Sequence, residues 1–408
     1  MRRTSQRPSY RRYPGTLVAP GAVLCVLWAT VLTRGPLADT SVNDLYLYES
    51  YSGLVRDGLW PYRDFPFEYP PLAVIPIHLA SLFGDYEVAF AIATLAAALV
   101  VMWLTARLAE AAGGNARTAA WLVALSPLLC GALLRTHFDL VVVALLLGGL
   151  LALVHDRPAL GFALLGAGAM SKLFPALAAL VAVAWLLARG RARDAAFGAL
   201  LFVLVCVAVS VPFAGRGYVD AYTFHLDRPV QIESTPASVL LVAGGSRVTG
   251  DPIRPDRFKS NGLDGGGAGA VQALFAVLQV LAIAVVVAGV ARGRGDPRGL
   301  VLATFAALLA FVALGKVLSP QYVAWLVPFA ALAWVWRRRA AAVLCALAIA
   351  LTLVEFPGRY WDLVGGEDWV VALVAARNGL LLAALVTLLA PAPAAARWRR
   401  PAAAPSPG

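Results

Sequence analysis

The chain has 408 residues, 60% of them hydrophobic and only 14% charged, with a mean hydropathy of +0.75. Soluble domains carry roughly 25% charged residues, so this composition excludes a soluble globular protein and points to lipid as the solvent. The formal net charge is +11, but the arginines gather in short loops between apolar runs, the pattern of cytoplasmic loops and not of a nucleic-acid-binding surface.

The apolar runs are continuous rather than alternating, so they read as membrane-spanning helices and not as strands of a barrel. Residues 1–14, rich in Arg and Pro, form a cytoplasmic N-terminus expected to be disordered. The first span, about Leu17–Leu32, follows Arg2, Arg3, Arg7, Arg11 and Arg12 and is expected to stay uncleaved. An outer loop, 35–70, comes next. The run 71–84 is short, begins with Pro71 after Pro70 and contains Pro76, so it is expected to re-enter or lie at the interface rather than to span. Spans follow at 86–106, 117–134, 138–154, 158–171 and 173–188, then at 195–213, 269–291, 299–315, 320–336, 340–354 and 369–389. With the first, these make twelve crossings. They place the clusters Arg189–Arg193, Arg292–Arg298, Arg337–Arg339 and Arg397–Arg400 on one side, as the positive-inside rule requires.

The fold class is therefore an all-α polytopic membrane protein, with residues 15–390 as a single transmembrane domain and 391–408 as a disordered cytoplasmic tail. Loops 35–70, 214–268 and 355–368 share the outer side, and the Gly- and Asp-rich stretch 244–268 is expected to be flexible. Cys25, Cys130, Cys206 and Cys345 lie apart inside apolar runs and read as small buried hydrophobes. No internal repeat supports an inverted-repeat transporter.

Chemistry concentrates on the outer side. Segment 41–72, SVNDLYLYESYSGLVRDGLWPYRDFPFEYPPL, is an amphipathic loop with tyrosines and tryptophan at headgroup depth. Asp44 lies a short way above the first span. It is either a helix cap or a base that accepts a proton from a hydroxyl at the membrane surface, and the surrounding Gly58, Pro61, Tyr62 and Glu68 favour the base. Glu49, Asp57, Asp64 and Glu68 are alternative bases. Segment 222–239, YTFHLDRPVQIESTPASV, offers Arg228 as a permanently charged fork for a phosphate, with His225, Gln231 and Glu233 as hydrogen-bonding neighbours.

A third group sits at the outer ends of spans: Arg135, His137 and Asp139; Lys172 in AMSKLFP; Lys316, Gln321 and Tyr322 in GKVLSPQYVAW; and Arg377. Ionisable groups at that depth pair or line a cavity. Arg135 and Asp139, one turn apart, are positioned to pair. Lys172 and Lys316 have no local partner in sequence and are assigned to anion binding, and Arg377 either snorkels outward or functions. The chain has no Gly-rich phosphate loop, no His-Glu-x-x-His, no CxxC and no cytoplasmic nucleotide-binding domain.

Segments 41–72 and 222–239, together with SKLFP and LSPQYVAWLVP in that order and spacing, resemble glycosyltransferase family 87, membrane enzymes of the GT-C architecture. The resemblance spans roughly residues 15–390. The best-known members of that family are actinobacterial polyprenyl-phosphate-mannose-dependent α-mannosyltransferases that extend phosphatidylinositol mannosides. The resemblance implies a GT-C fold, inverting transfer, a lipid-linked sugar donor and a catalytic acid residue in the first outer loop, where Asp44 is the matching position. Mannose is the usual sugar; the acceptor, a lipid or glycan, does not carry over. The resulting expectation is a hexosyltransferase of the bacterial plasma membrane with an extracytoplasmic active site. Its partners are a polyprenyl-phosphate sugar, the acceptor and membrane lipids, with no nucleic acid. No cofactor is required, and a divalent metal on several carboxylates is an unexpected alternative. The competing class is a transporter or flippase of a lipid-linked sugar, which would want polar groups on both sides or through the middle.

Overall fold

The computed structural model describes residues 17–244, 246–249, 260–293 and 295–390. The termini expected to be disordered lie outside the described residues, as does part of 244–268. Helix α1 (Val18–Thr33) leads to the surface helix α2 (Leu45–Arg56) and to a short segment around α3 (Val74–Leu79), before the long α4 (Tyr86–Ala111). A broken pass follows, α5 (Ala116–Ala124), α6 (Pro127–Cys130) and α7 (Leu133–Thr136), then α8 (Asp139–Val154), α9 (Pro158–Ala169), α10 (Pro175–Ala188) and α11 (Ala192–Ser210). A polar excursion carries α12 (Arg216–Asp227), β1 (Val230–Gln231), α13 (Thr235–Val242), β2 (Ser246–Thr249) and β3 (Gly262–Gly265). The chain closes with α14 (Ala268–Arg292), α15 (Pro297–Leu314), α16 (Val323–Val335), α17 (Arg339–Glu355), the short α18 (Tyr360–Val364) and α19 (Asp368–Leu389).

Contacts between connecting segments define two ends of the bundle. At one, Arg298 donates to the Ala112 and Gly113 carbonyls (2.6 and 3.0 Å), Arg191 pairs with Asp156 at 2.5 Å, and Arg338 reaches the Ala390 carbonyl at 3.3 Å. At the other, Glu87 meets Arg135 at 2.7 Å, Lys172 meets Asp139 at 2.7 Å, and His225 meets the Glu68 carbonyl at 2.8 Å. Counting α5–α7 as one, the chain alternates between these ends in twelve passes among the described residues. The segment around α3 does not cross. Its start is tied to Met170 (Leu72 N–H to carbonyl, 2.8 Å) and its end to Tyr86 (hydroxyl to the Ile77 carbonyl, 2.9 Å), both at the same end.

Five helical stretches are long and apolar enough to cross a membrane unaided: Tyr86–Ala111, Ala192–Phe213, Ala268–Arg292, Pro297–Leu314 and Asp368–Leu389. Helices α11 and α14 turn Leu200, Val203, Leu204, Val277, Val280 and Leu281 outward, a face suited to lipid. The shorter α8, α9, α10 and α16 form the interior. Gly149 and Gly161 let α8 and α9 meet backbone to backbone, since a Cβ on either would lie 3.0–3.1 Å from the other's carbonyl oxygen. The pass expected at 117–134 is broken because Pro127 starts a new turn and Gly131 takes a left-handed φ of 54° under the Leu37 carbonyl.

Among its described residues the polar excursion after α11 carries a small sheet. Strands β1, β3 and β2 form an antiparallel sheet in that spatial order, with Val230 opposite Leu263. Residues 230–242 then turn inward: Ser234 caps α13, and Thr235 Oγ1 donates to the Ala313 carbonyl of α15 at 2.5 Å.

Candidate active site

At the end opposite the Arg298 contacts, a cavity of about 440 Å³ opens between α2, α12 and the breaks between α9 and α10 and between α15 and α16. Its lining includes Asp44, Glu68, Lys172, His225, Arg228, Gln231, Lys316, Gln321 and Tyr322, nine of the thirteen residues that the sequence singles out for the site. Tyr62, His137, Asp139 and Glu233 stand behind the wall.

Asp44 occupies the residue before α2, where a cap would sit, yet its side chain makes no capping bond. Asn43 Oδ1 accepts from the Leu45 N–H, at 2.7 Å. The Asp44 carboxylate turns to His137 Nε2 at 3.5 Å and to the Tyr48 hydroxyl at 3.4 Å, and is 34% exposed. Burial pushes its pKa up, but His137, then Lys172 and the Tyr48 hydrogen bond, outweigh it and hold it below the usual carboxylate range. Asp44 is therefore an ionised acceptor at neutral pH with its remaining lone pairs toward the cavity. His137 is itself oriented from the other ring nitrogen, where Nδ1 lies 3.2 Å from the Leu133 carbonyl and 2.9 Å from Thr136 Oγ1.

The cations are not equivalent. Lys172, expected to lack a partner, places Nζ 2.8 and 2.7 Å from the two Asp139 oxygens and 3.2 Å from Gln321 Oε1, which engages all three of its N–H donors. Asp139 also accepts from Trp325. Arg135 accordingly pairs not with Asp139 but with Glu87, because the turn α7–α8 points the two side chains to different neighbours. Lys316 holds the Leu226 and Arg228 carbonyls at 2.6 and 2.9 Å, so it tethers the end of α12. Burial and then the adjacent Arg228 lower its pKa. Arg228 donates to Ser260 and forms no ion pair with a carboxylate among the described residues, and it is the cavity's cation most available to an anion.

His225 is held neutral: burial lowers its pKa, and Nε2–H donates to the Glu68 carbonyl, joining α12 to the loop between α2 and α3. Tyr62 is structural. Its hydroxyl donates to the Tyr69 carbonyl, its ring packs on Phe213 and Tyr218 (5.5 and 5.2 Å), and a Cβ at Gly217 would lie 2.0 Å from its carbonyl oxygen. Glu233, expected as a hydrogen-bonding neighbour of Arg228 at the phosphate, is 1% exposed and accepts from Gln231 Nε2 at 2.8 Å. Arg377 does not snorkel; it is 0% exposed and donates to the Glu233 carbonyl.

Sequence reasoning missed Gln279, a polar residue within the apolar α14. It lines the cavity and donates to the Phe311 carbonyl at 2.9 Å; the signal was its isolation in a hydrophobic run. Around it, Phe174, Phe311 and Leu173 make that part of the cavity apolar. The described residues hold no group of three or more His, Cys, Asp or Glu arranged for a metal ion.

Among curated proteins none matches this chain. Its structure is similar to the crystal structure of ArnT from Cupriavidus metallidurans in the apo state, at 16% identity over 92% of this chain and 76% of that one, with a TM-score of 0.46. The profile of glycosyltransferase family 87 matches residues 67–314, a stretch that begins downstream of Asp44 and includes Lys172 and Arg228. That match covers more than half of the sequence, and the chain belongs to glycosyltransferase family 87.

Proposed function

We propose that this membrane glycosyltransferase moves a single sugar, mannose by family habit, from a polyprenyl phosphate to a hydroxyl of a lipid or glycan acceptor, with inversion and with Asp44 as general base. The observation that carries the reading is Asp44 itself. Its side chain makes no capping bond, is held ionised by His137, and opens into the cavity that also presents Arg228.

The donor phosphate lies against Arg228 and the remaining N–H of Lys316, with Gln231 and Tyr322 beside it. Its tail leaves along the apolar stretch of Phe174 and Phe311 toward the lipid-facing α14. Asp44 removes the acceptor hydroxyl proton as that oxygen bonds to the anomeric carbon. The bond to the phosphate oxygen breaks on the opposite face, and its electron pair departs with polyprenyl phosphate. Preorganised cations meet the developing charge, so no divalent metal is written into the step. Lys172 supports Asp44 through its field and is not assigned to the phosphate. The end bearing Arg191, Arg298 and Arg338 is assigned to the cytoplasm by the positive-inside rule, which puts the cavity outside the cell membrane.

Purified protein supplied with radiolabelled polyprenyl-phosphate mannose and a lipid extract should yield a labelled product and polyprenyl phosphate. Translocation of the donor without product would mark a flippase and defeat the proposal.

A further inference from the structure

Behind the cavity lies a second polar cluster that the transfer chemistry leaves unused. Glu233, Glu355, Arg377 and Asn378 are each at most 1% exposed, at the depth of α17 and α19. Arg377 Nη2 and Asn378 Nδ2 both donate to the Glu233 backbone carbonyl, the latter at 3.1 Å, and Asn378 Nδ2 also reaches Ser238 Oγ at 2.8 Å. Arg377 Nη1 faces the Glu355 carboxylate at 3.6 Å. The cluster does not end in the core. The Glu233 carboxylate accepts from Gln231 Nε2 at 2.8 Å, and Gln231 is part of the cavity lining. Its backbone N–H donates to the Lys316 carbonyl at 2.9 Å, while Lys316 Nζ holds the Arg228 carbonyl at 2.9 Å.

Charged groups this deep are expensive, and replacing them by apolar side chains is often neutral or stabilising. Their pattern here has a direction: Arg377, Asn378, Gln231 and Lys316 all bond to the segment Arg228–Glu233, and Glu355 backs Arg377 from behind. We infer that Arg377 and Glu233 are positioning residues, which lock that segment into the bundle and so fix the cavity face that Arg228 and Gln231 present to an anion. The inference rests on the proposed reading of the cavity as a phosphate site.

The test is a double-mutant cycle read by equilibrium binding of undecaprenyl phosphate to the detergent-solubilised full chain. Glu233→Met keeps the approximate volume and the backbone carbonyl but removes the oxygen that accepts from Gln231 Nε2, and should weaken binding about tenfold, as for loss of one buried hydrogen bond. In an Arg228→Ala background the same change should cost much less, because the group it positions is gone. Should Glu233→Met fail to insert, Asn378→Ala, which removes one donor from the Glu233 carbonyl, is held to the same cycle. Unchanged affinity, or equal losses in both backgrounds, would overturn the inference while leaving the phosphate site standing. No binding by the wild type would bring down both.

Discussion

The cavity surface and the wall directly behind it use the same residue types to opposite ends. On the surface, Asp44 has only a long contact to His137 and a hydroxyl, and Arg228 has a serine. Against the wall, Lys172 lines the cavity yet spends every donor on Asp139 and Gln321, and behind it Arg377 is enclosed by Glu233, Asn378 and Glu355. A charge whose partners all come from the protein is scaffold. A charge left part-satisfied at the edge of open space is where the proposed reading puts the ligand. The proposed phosphate site therefore leaves out Lys172, which has the right type and place for anion binding but whose donors are taken by Asp139 and Gln321.

The comparison can be broken experimentally. The largest effect is expected from Asp44→Asn, which should cut turnover by about 10³-fold, within the span a general base supplies, without altering thermal stability. Wild-type turnover in that variant would remove Asp44 from the mechanism. Next comes Lys172→Met, which strands the buried Asp139 and should destabilise the protein by about 3 kcal/mol. The double variant with Asp139→Leu should recover most of that loss in a thermal-unfolding assay; a single variant as stable as wild type would show that the wall is not scaffold.

Arg228→Ala should lower kcat/KM by about 10²-fold, the size of a lost charge-assisted contact to a phosphate, with unfolding unchanged. The smallest effect sharpens the reading of His137. Because Asp44 titrates below the usual carboxylate range, it is charged above that point, and activity should fall only as pH drops through it. His137→Asn removes the main opposing influence and leaves burial to raise the Asp44 pKa, so the acid limb of the pH–rate profile should move upward. An unmoved limb would detach His137 from the base.

Much of this was readable in advance for a physical reason. Span positions follow from local apolar runs and basic loops, both properties of contiguous sequence, and the predicted 269–291 and 369–389 differ from α14 and α19 by a residue at most at each end. The same holds for the non-spanning 71–84, where prolines and length alone argue against a crossing. The motif order from Asp44 to Tyr322 likewise pointed to the family before any geometry.

Pairing was different. Arg135 sits one turn from Asp139 in sequence but meets Glu87, 48 residues away, and Lys172 meets Asp139 across 33 residues. Which donor faces which acceptor depends on how helices rotate against one another, and nothing local encodes that rotation. The inward turn of 230–242 was hidden for the same reason, since Glu233 looks solvated until α17 and α19 supply Arg377 and Glu355 around it. By itself the sequence determined the solvent, the passes and the residue types available for chemistry, because hydropathy and charge act locally. Only the tertiary structure decided which charges are consumed as scaffold and which, Asp44 and Arg228 foremost, are left facing open space.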